Sequence, residues 1–416
     1  MGRNRARSNG EVPLKALVLD EWIPYPLISG KRLRSYNLLS RAARKHNITY
    51  LCFAEPDGEE AARKQMESLG IKLVTLPAHN PFVPPYRLYA STLANLLSPR
   101  PLVMRKHFRQ DYLAMMRQLL REEVFDLIHC EWMHYGAYVT GLNDRPRFLS
   151  SHNIESMPWQ RLYEHERNPM KRTLLYLEWK KMLSFEKSVC QAFDHIGAVS
   201  KDDLDMFKSL FGCESVSIIP NGIDVGYYDA VRPRPENKTL VFSASFDAFV
   251  NQDAVRYFMQ SIFLKILMND PNVRVIFLGK DPPDSLRQYS SERVTFTGTV
   301  DDVRPYLSQV SICIVPVRVA GGSRIKILEA MSARLPVVST PEGAEGLEVV
   351  SGEHLLIARN EDEFAKYVME LLGNSALAQS MTAKARKVVE ELYDWDRIAP
   401  LLEQAWEETI VRFRTP

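Results

Sequence analysis

A chain of 416 residues, 45% of them apolar, is long enough for two or three globular domains and too apolar to be mainly disordered. Its 53 basic against 51 acidic side chains leave a formal charge of +2, which disfavours a dedicated nucleic-acid binder. Nowhere do the roughly 18 consecutive apolar residues of a membrane span occur, and five cysteines without a Cys-x-x-Cys pair argue against a disulfide framework or a cysteine-based zinc site.

Residues 1–12 read as a flexible basic tail. Met1-Gly2-Arg3-Asn4-Arg5-Ala6-Arg7 is followed by polar Ser8-Asn9-Gly10-Glu11 instead of an apolar signal core, so a cytoplasmic protein is expected. A first strand is predicted over 14–19, and the loop 22–32 leads into a helix from near Lys31. Further strands are predicted over 48–53, 72–76, 126–130 and 148–151, with helices over 86–97 and 112–120. The Gly- and Pro-free stretch 170–190 reads as one long helix, and strands follow at 196–200 and 216–220. Pro220-Asn221-Gly222-Ile223-Asp224 carries turn chemistry, with Gly222 available for positive φ, and 221–239 is a linker by composition. A second series of strands is predicted over 240–245, 273–278, 294–297, 311–316 and 336–339, with helices over 362–373, 377–391 and 396–412. Short apolar runs alternating with helical patterns predict parallel sheets. The fold class is therefore α/β, with two doubly wound Rossmann-like lobes, 13–220 and 240–394, a cleft between them, and a closing segment 395–416.

Ligands of open parallel sheets collect beyond the carboxyl ends of strands, beside helix N-termini. The strand 311–316 runs through Gly321-Gly322-Ser323 into a helix opening with Arg324 and Lys326. Adjacent glycines allow close backbone approach, and the unpaired amides of a first helical turn suit an anion such as a diphosphate. Glu329, three residues after Lys326, has the reach to accept hydrogen bonds from vicinal hydroxyls. The same pattern also fits an ordinary strand–helix turn in which Lys326 and Glu329 make a surface ion pair worth under about 1 kcal/mol. Ser29-Gly30-Lys31-Arg32 repeats the logic in the first lobe, and there a capped helix with solvated Lys31 and Arg32 is the favoured reading. His152, after the strand 148–151, is a candidate proton carrier or hydrogen-bond donor, with His129 a second histidine at a strand end facing the same cleft. No metal motif is present, so a departing diphosphate would be neutralised by Arg, Lys and backbone amides.

The run from Gly322 to Thr340, with Lys326-Ile327-Leu328-Glu329-Ala330 at its centre, resembles the donor-site segment of retaining glycosyltransferases of family 4, which have the two-lobed GT-B fold. Pro220-Asn221-Gly222-Ile223-Asp224 is similar to the interlobe signature of that family, and 242–258 to the opening of its donor lobe. Ser151-His152-Asn153-Ile154-Glu155-Ser156 and Glu342-Gly343-Ala344-Glu345-Gly346-Leu347 resemble a narrower branch, bacterial sugar transferases of exopolysaccharide assembly.

The resemblance implies a retaining, metal-independent hexosyltransferase that needs no cofactor beyond its nucleotide diphosphate sugar. Glu329 would bind the ribose, while Arg324, Lys326 and the amides near Gly321, Gly322 and Ser323 would hold the diphosphate, with Gly30 approaching from the other lobe. Ser245 stands at the start of the donor lobe, and His152 matches the cleft histidine near the leaving group. Two departures stand out: an earlier Glu, eight residues before Glu329, is replaced by Gly321, and the usual Gly-Arg pair by Ser245-Phe246. The acceptor, a saccharide or a lipid-linked one, is expected near 82–107, where Phe82, Tyr86, Tyr89, Arg100, Arg105 and Lys106 also suit peripheral contact with the inner face of a membrane. The 396–412 helix is expected to cross back to the first lobe, and no nucleic-acid partner is expected. A nucleotide-sugar epimerase of the same fold and a non-catalytic sugar- or partner-binding protein are the alternatives.

Overall fold

The computed structural model describes residues 12–54, 59–78, 98–280, 282–318 and 325–415, the side chains of Arg105, Lys106 and His165 aside. It divides into two compact units, Met1–Ala198 with Asp203–Ile218 and Ala399–Pro416, and Val199–Asp202 with Ile219–Ile398. The predicted basic tail, 1–11 of it, and the predicted 86–97 helix lie outside the described residues.

In the first unit, β1 (Lys15–Trp22), β2 (Asn47–Ala54), β3 (Lys72–Pro77), β4 (Leu127–Cys130), β5 (Arg147–Ser150), β6 (His195–Ala198) and β7 (Val216–Ile218) form one parallel sheet in the order β3-β2-β1-β4-β5-β6-β7. Strands covered on both faces have no polar side to alternate with, which is why β1 reads Ala16-Leu17-Val18-Leu19 and is buried throughout that run. The Gly30–Ala42 helix follows β1, and Ser29 caps it by accepting a hydrogen bond from the Arg32 amide at 3.3 Å. The long helix spans Pro169–Cys190, with Asn168 as its cap and Pro169 at its first position. A helix over Ser156–His165 was not anticipated from the sequence. Its start is held by the buried Glu186 carboxylate, which accepts from the amides of Glu155 at 2.7 Å and Ser156 at 3.0 Å.

In the second unit, β8 (Thr239–Ser243), β9 (Arg274–Leu278), β10 (Val294–Phe296), β11 (Ile312–Val315), β12 (Val337–Ser339) and β13 (Leu356–Ile357) are parallel in the order β10-β9-β8-β11-β12-β13. The helix Ile325–Ser332 follows β11, and Ser375–Val388 packs against it. Buried Arg386 of that second helix donates to the Ser332 carbonyl and pairs with Asp229 at 2.7 Å and Glu390 at 2.6 Å. A cation at the carboxyl end of a helix satisfies its orphan carbonyl and complements its dipole, so the helix after β11 is pinned at its far end.

Gly222 does not supply the positive φ expected of it. Its role is close approach: a Cβ there would lie 2.7 Å from both the Trp395 ring and Ile398. The backbone of Ile223 bonds Tyr393 and Trp395 in the same place, at 2.8 and 3.3 Å, which leaves no room for a side chain beside it.

Candidate active site

In both sheets the strand order reverses at an interior parallel pair, β1/β4 in the first unit and β8/β11 in the second. Loops leaving such a pair diverge to opposite faces and open a crevice at the carboxyl ends of the strands. The chemistry-bearing side chains of each unit gather there.

In the first unit, Asp20 ends the buried part of β1. Its carboxylate meets Lys31 Nζ at 2.5 Å and the Tyr50 hydroxyl at 2.5 Å. Lys31 also lies over the Trp132 ring, 4.6 Å from its centroid, and Arg32 is buried, so Lys31 is held by partners and Arg32 is not solvated, unlike the solvated pair the sequence reading favoured. Beyond β4, Glu131 is fully buried, with His129 Nε2 at 3.3 Å, His152 Nε2 at 3.4 Å and the Ser35 hydroxyl donating at 3.0 Å. Burial alone would raise this carboxyl, but the His129 and His152 imidazoles outweigh it and hold Glu131 well below the usual carboxylate range. Arg34, also fully buried, is pushed down to about 10 by desolvation, against the pull of Glu131. His152 lies just past β5, with Nε2 2.6 Å from the Glu131 carbonyl oxygen and the ring mostly covered. His129 has no exposed surface and does not face a cleft. Burial drives His134 down to about 3, so its imidazole is neutral against Trp132 and His107.

In the second unit, Lys326 is in the first turn of the Ile325–Ser332 helix. Its Nζ donates to Asn251 Oδ1 at 3.0 Å and lies 4.8 Å from the centroid of Phe242. Glu329, one turn on, accepts from the Tyr228 hydroxyl at 3.0 Å. Its carboxyl is raised by desolvation, against the Tyr228 hydrogen bond and the Lys326 charge. Lys326 and Glu329 are thus both built into the protein and are not merely a surface pair. Ser245, after β8, donates to Asp247 at 2.7 Å, and its carbonyl accepts from Asn251 at 2.7 Å, which ties the Lys326 partner to the same loop. Gly279, after β9, has φ +143°, and a Cβ there would meet the Ala244 carbonyl oxygen at 1.8 Å. Only glycine lets the ends of β8 and β9 lie so close. Gly321, Gly322, Ser323 and Arg324 lie outside the described residues.

Two family models cover these elements. The model described as Glycosyltransferase Family 4 matches residues 33–227, and that described as Glycosyl transferases group 1 matches 237–374. Both halves of the chain are glycosyltransferase domains. This glycosyltransferase is 21% identical to an uncharacterized 44.6 kDa protein in the cps region of Klebsiella pneumoniae, over 92% of its own length and 97% of that protein. An uncharacterized glycosyltransferase of Methanocaldococcus jannaschii is 24% identical over 68% of the chain and 75% of that protein. Among solved structures, Anabaena HepE in complex with UDP and glucose aligns with TM-score 0.68 at 15% identity, covering 95% of this chain and 99% of HepE. The sucrose-phosphate synthase of Thermosynechococcus elongatus aligns with TM-score 0.71 at 14% identity, covering 96% and 99%. These two show that the GT-B fold is shared.

Within the glycosyltransferase, the second unit brings together Ser245, Lys326 and Glu329 around the β8/β11 reversal, and the first places Gly30 at the opening of its first helix and His152 beside Glu131. Reasoning from sequence missed Glu131, Arg34, Asp20, Asn251 and Tyr228. A signal for Glu131 was available: residues i and i+2 of a strand share a face, so His129 and Glu131 leave β4 on one side. Phe82, Tyr86, Tyr89 and the side chains of Arg105 and Lys106 lie outside the described residues. Among these, no helix is long and apolar enough to cross a membrane.

Proposed function

We propose that this glycosyltransferase moves a hexosyl unit, with retention of anomeric configuration, from a nucleoside diphosphate sugar to an acceptor hydroxyl in bacterial surface polysaccharide assembly. The observation that carries the reading is the placing of Lys326 and Glu329 on one helix at the β8/β11 reversal, each oriented by a side chain from elsewhere in the same unit. Breaking a glycosyl–phosphate bond builds negative charge on the departing diphosphate while the sugar becomes cationic. Preorganised donors lower that barrier because they need not reorient as charge develops. Lys326, Arg324 and the amides of Gly321, Gly322 and Ser323 would hold the diphosphate without a metal ion, aided by Gly30, and Glu329 the ribose. His152 would act beside the leaving group, and Ser245 would border the donor. HepE binds UDP and glucose, which makes uridine diphosphate sugars the first donors to test, and the cps-region relative supports a polysaccharide product.

A place at the inner face of the membrane, with a saccharide or lipid-linked acceptor, is supported by the Pro169–Cys190 helix. Its exposed Met170, Leu174 and Leu177 share one stripe, flanked by exposed Lys171 and Lys180. Such a face suits an anionic lipid surface.

The deciding experiment is a donor screen by thermal shift, followed by a chelator-treated transfer assay with the donor that stabilises the chain most. Stabilisation by a nucleoside diphosphate and its sugar, with transfer persisting in chelator, is expected. No stabilisation by any nucleotide sugar would overturn the assignment.

A further inference from the structure

A buried polar chain ends at His152, and packing does not account for it. Trp406 of the Trp395–Arg414 helix donates its indole N–H to His129 Nδ1 at 3.2 Å. An indole only donates, so Nδ1 of His129 carries no proton and the proton of the neutral ring sits on Nε2. That nitrogen lies 3.3 Å from Glu131 Oε1, an ion-pair distance, although neither atom makes a hydrogen bond. The other carboxylate oxygen accepts from Ser35 at 3.0 Å and lies 3.4 Å from His152 Nε2, whose shortest contact is the Glu131 carbonyl at 2.6 Å. Both the carbonyl and the carboxylate of one residue therefore require Nε2 of His152 to hold a proton. Nδ1, with its lone pair, is left as the acceptor.

Stability gives no reason for this arrangement. Burying a carboxylate, a guanidinium and two imidazoles is costly, and apolar residues of similar volume would hold the core at least as well. A function that needs one ring in one protonation state does explain it.

We propose that Glu131 is the positioning residue for His152, fixing its ring with Nε2–H inward and Nδ1 poised to accept a hydrogen bond from a substrate hydroxyl, and that Trp406 sustains this through His129. The inference rests on the reading of His152 as a site residue. Besides Glu131, the charged groups around the pair are Arg34 and Lys31 from the first helix, the latter paired with Asp20 at the end of β1, and Glu155 beyond β5.

The test uses the full chain labelled with [15N]histidine and long-range proton–nitrogen NMR, which separates the two ring tautomers, with His152→Gln to assign the ring. His152 and His129 are expected as Nε2–H tautomers, and Glu131→Gln, which removes the carboxylate facing Nε2, should let the His152 ring populate the Nδ1–H tautomer. Should Glu131→Gln not fold, Trp406→Phe keeps the aromatic packing. With no indole N–H on its Nδ1, His129 loses the contact that fixes its tautomer, and the Nδ1–H population of His152 should rise as well. An Nδ1–H tautomer of His152 in the unmodified chain, or tautomer populations unmoved in whichever variants fold, overturns the proposal. Full transfer rates in His152→Ala would overturn the reading of His152 alone and leave the NMR result for Glu131 standing.

Discussion

Replacing Glu329 by alanine should weaken nucleoside diphosphate binding and, more tellingly, erase sensitivity to the ribose hydroxyls. A hydrogen bond to a charged group contributes about 1.5–3 kcal/mol. Two from a ribose, shared by a carboxylate already desolvated and held by Tyr228, should together be worth about 2–3 kcal/mol, or roughly 30- to 150-fold in Kd. Omitting one hydroxyl, as in the 2′-deoxy nucleotide, should cost the unmodified protein about 5- to 10-fold and cost Glu329→Ala nothing. The comparison separates contact from collapse, because a variant that merely loses structure weakens both nucleotides alike. Glu329→Ala also strands the hydroxyl of Tyr228, a residue only 4% exposed, at about 1–3 kcal/mol of stability. The Tyr228→Phe/Glu329→Ala double variant removes that orphan and should keep the binding defect. Calorimetric titration with UDP, GDP and their 2′-deoxy forms reads all of this. If Glu329→Ala still prefers the ribonucleotide several-fold, the carboxylate does not hold the ribose and the donor-site reading fails.

Lys326→Ala should lower transfer by about 10²–10³, the usual cost of a lost transition-state donor, with circular dichroism unchanged; Asn251→Ala, which removes one of the contacts that orient the lysine, should cost less. Gly279→Ala should destabilise the second unit by at least about 3 kcal/mol, since neither the φ nor the 1.8 Å approach to Ala244 tolerates a Cβ, and the urea unfolding midpoint reads it. Glu186 gives a pH prediction. Burial raises its carboxyl from near 4.5 to about 7, so the folded chain binds a proton there that the unfolded chain has released. That contribution is complete below about pH 4.5 and lost as pH rises through 7, by up to about 3 kcal/mol. Thermal unfolding of Glu186→Gln between pH 5 and 8 should show a correspondingly flatter profile than the unmodified chain.

The predicted strands were legible because a strand buried on both faces must be a continuous apolar run, and twelve of them recur within a few residues of the expected bounds. β13 was not, since Leu356–Ile357 offers two residues and no pattern. The Ser156–His165 helix escaped for another reason: its start is held by Glu186, thirty residues further on, and no local signal encodes such a partner. The same limit governs the site. A strand, a pair of glycines and a helix bearing Lys326 and Glu329 form a local motif, visible as such. The side chains that aim them, Asn251 and Tyr228, are 75 and 101 residues away in sequence and become neighbours only when β8 and β11 pair.

Long-range partners also decide which charges near the motif remain for chemistry. Arg318, three residues before the glycine pair, has the position of a phosphate ligand. Its guanidinium instead grips both oxygens of Asp253, at 2.6 and 3.1 Å, and lies 4.4 Å over the Tyr257 ring. A bidentate pair of this kind is neutralised where it stands and fixes the Phe249–Tyr257 helix against the end of β11. Asn251 is on that same helix, so the orientation of Lys326 depends on a pairing that itself touches no ligand. Glu131 stands to His152 as Asn251 stands to Lys326: at each reversal of a sheet, one side chain offered to substrate is aimed by another that sequence proximity alone does not reveal.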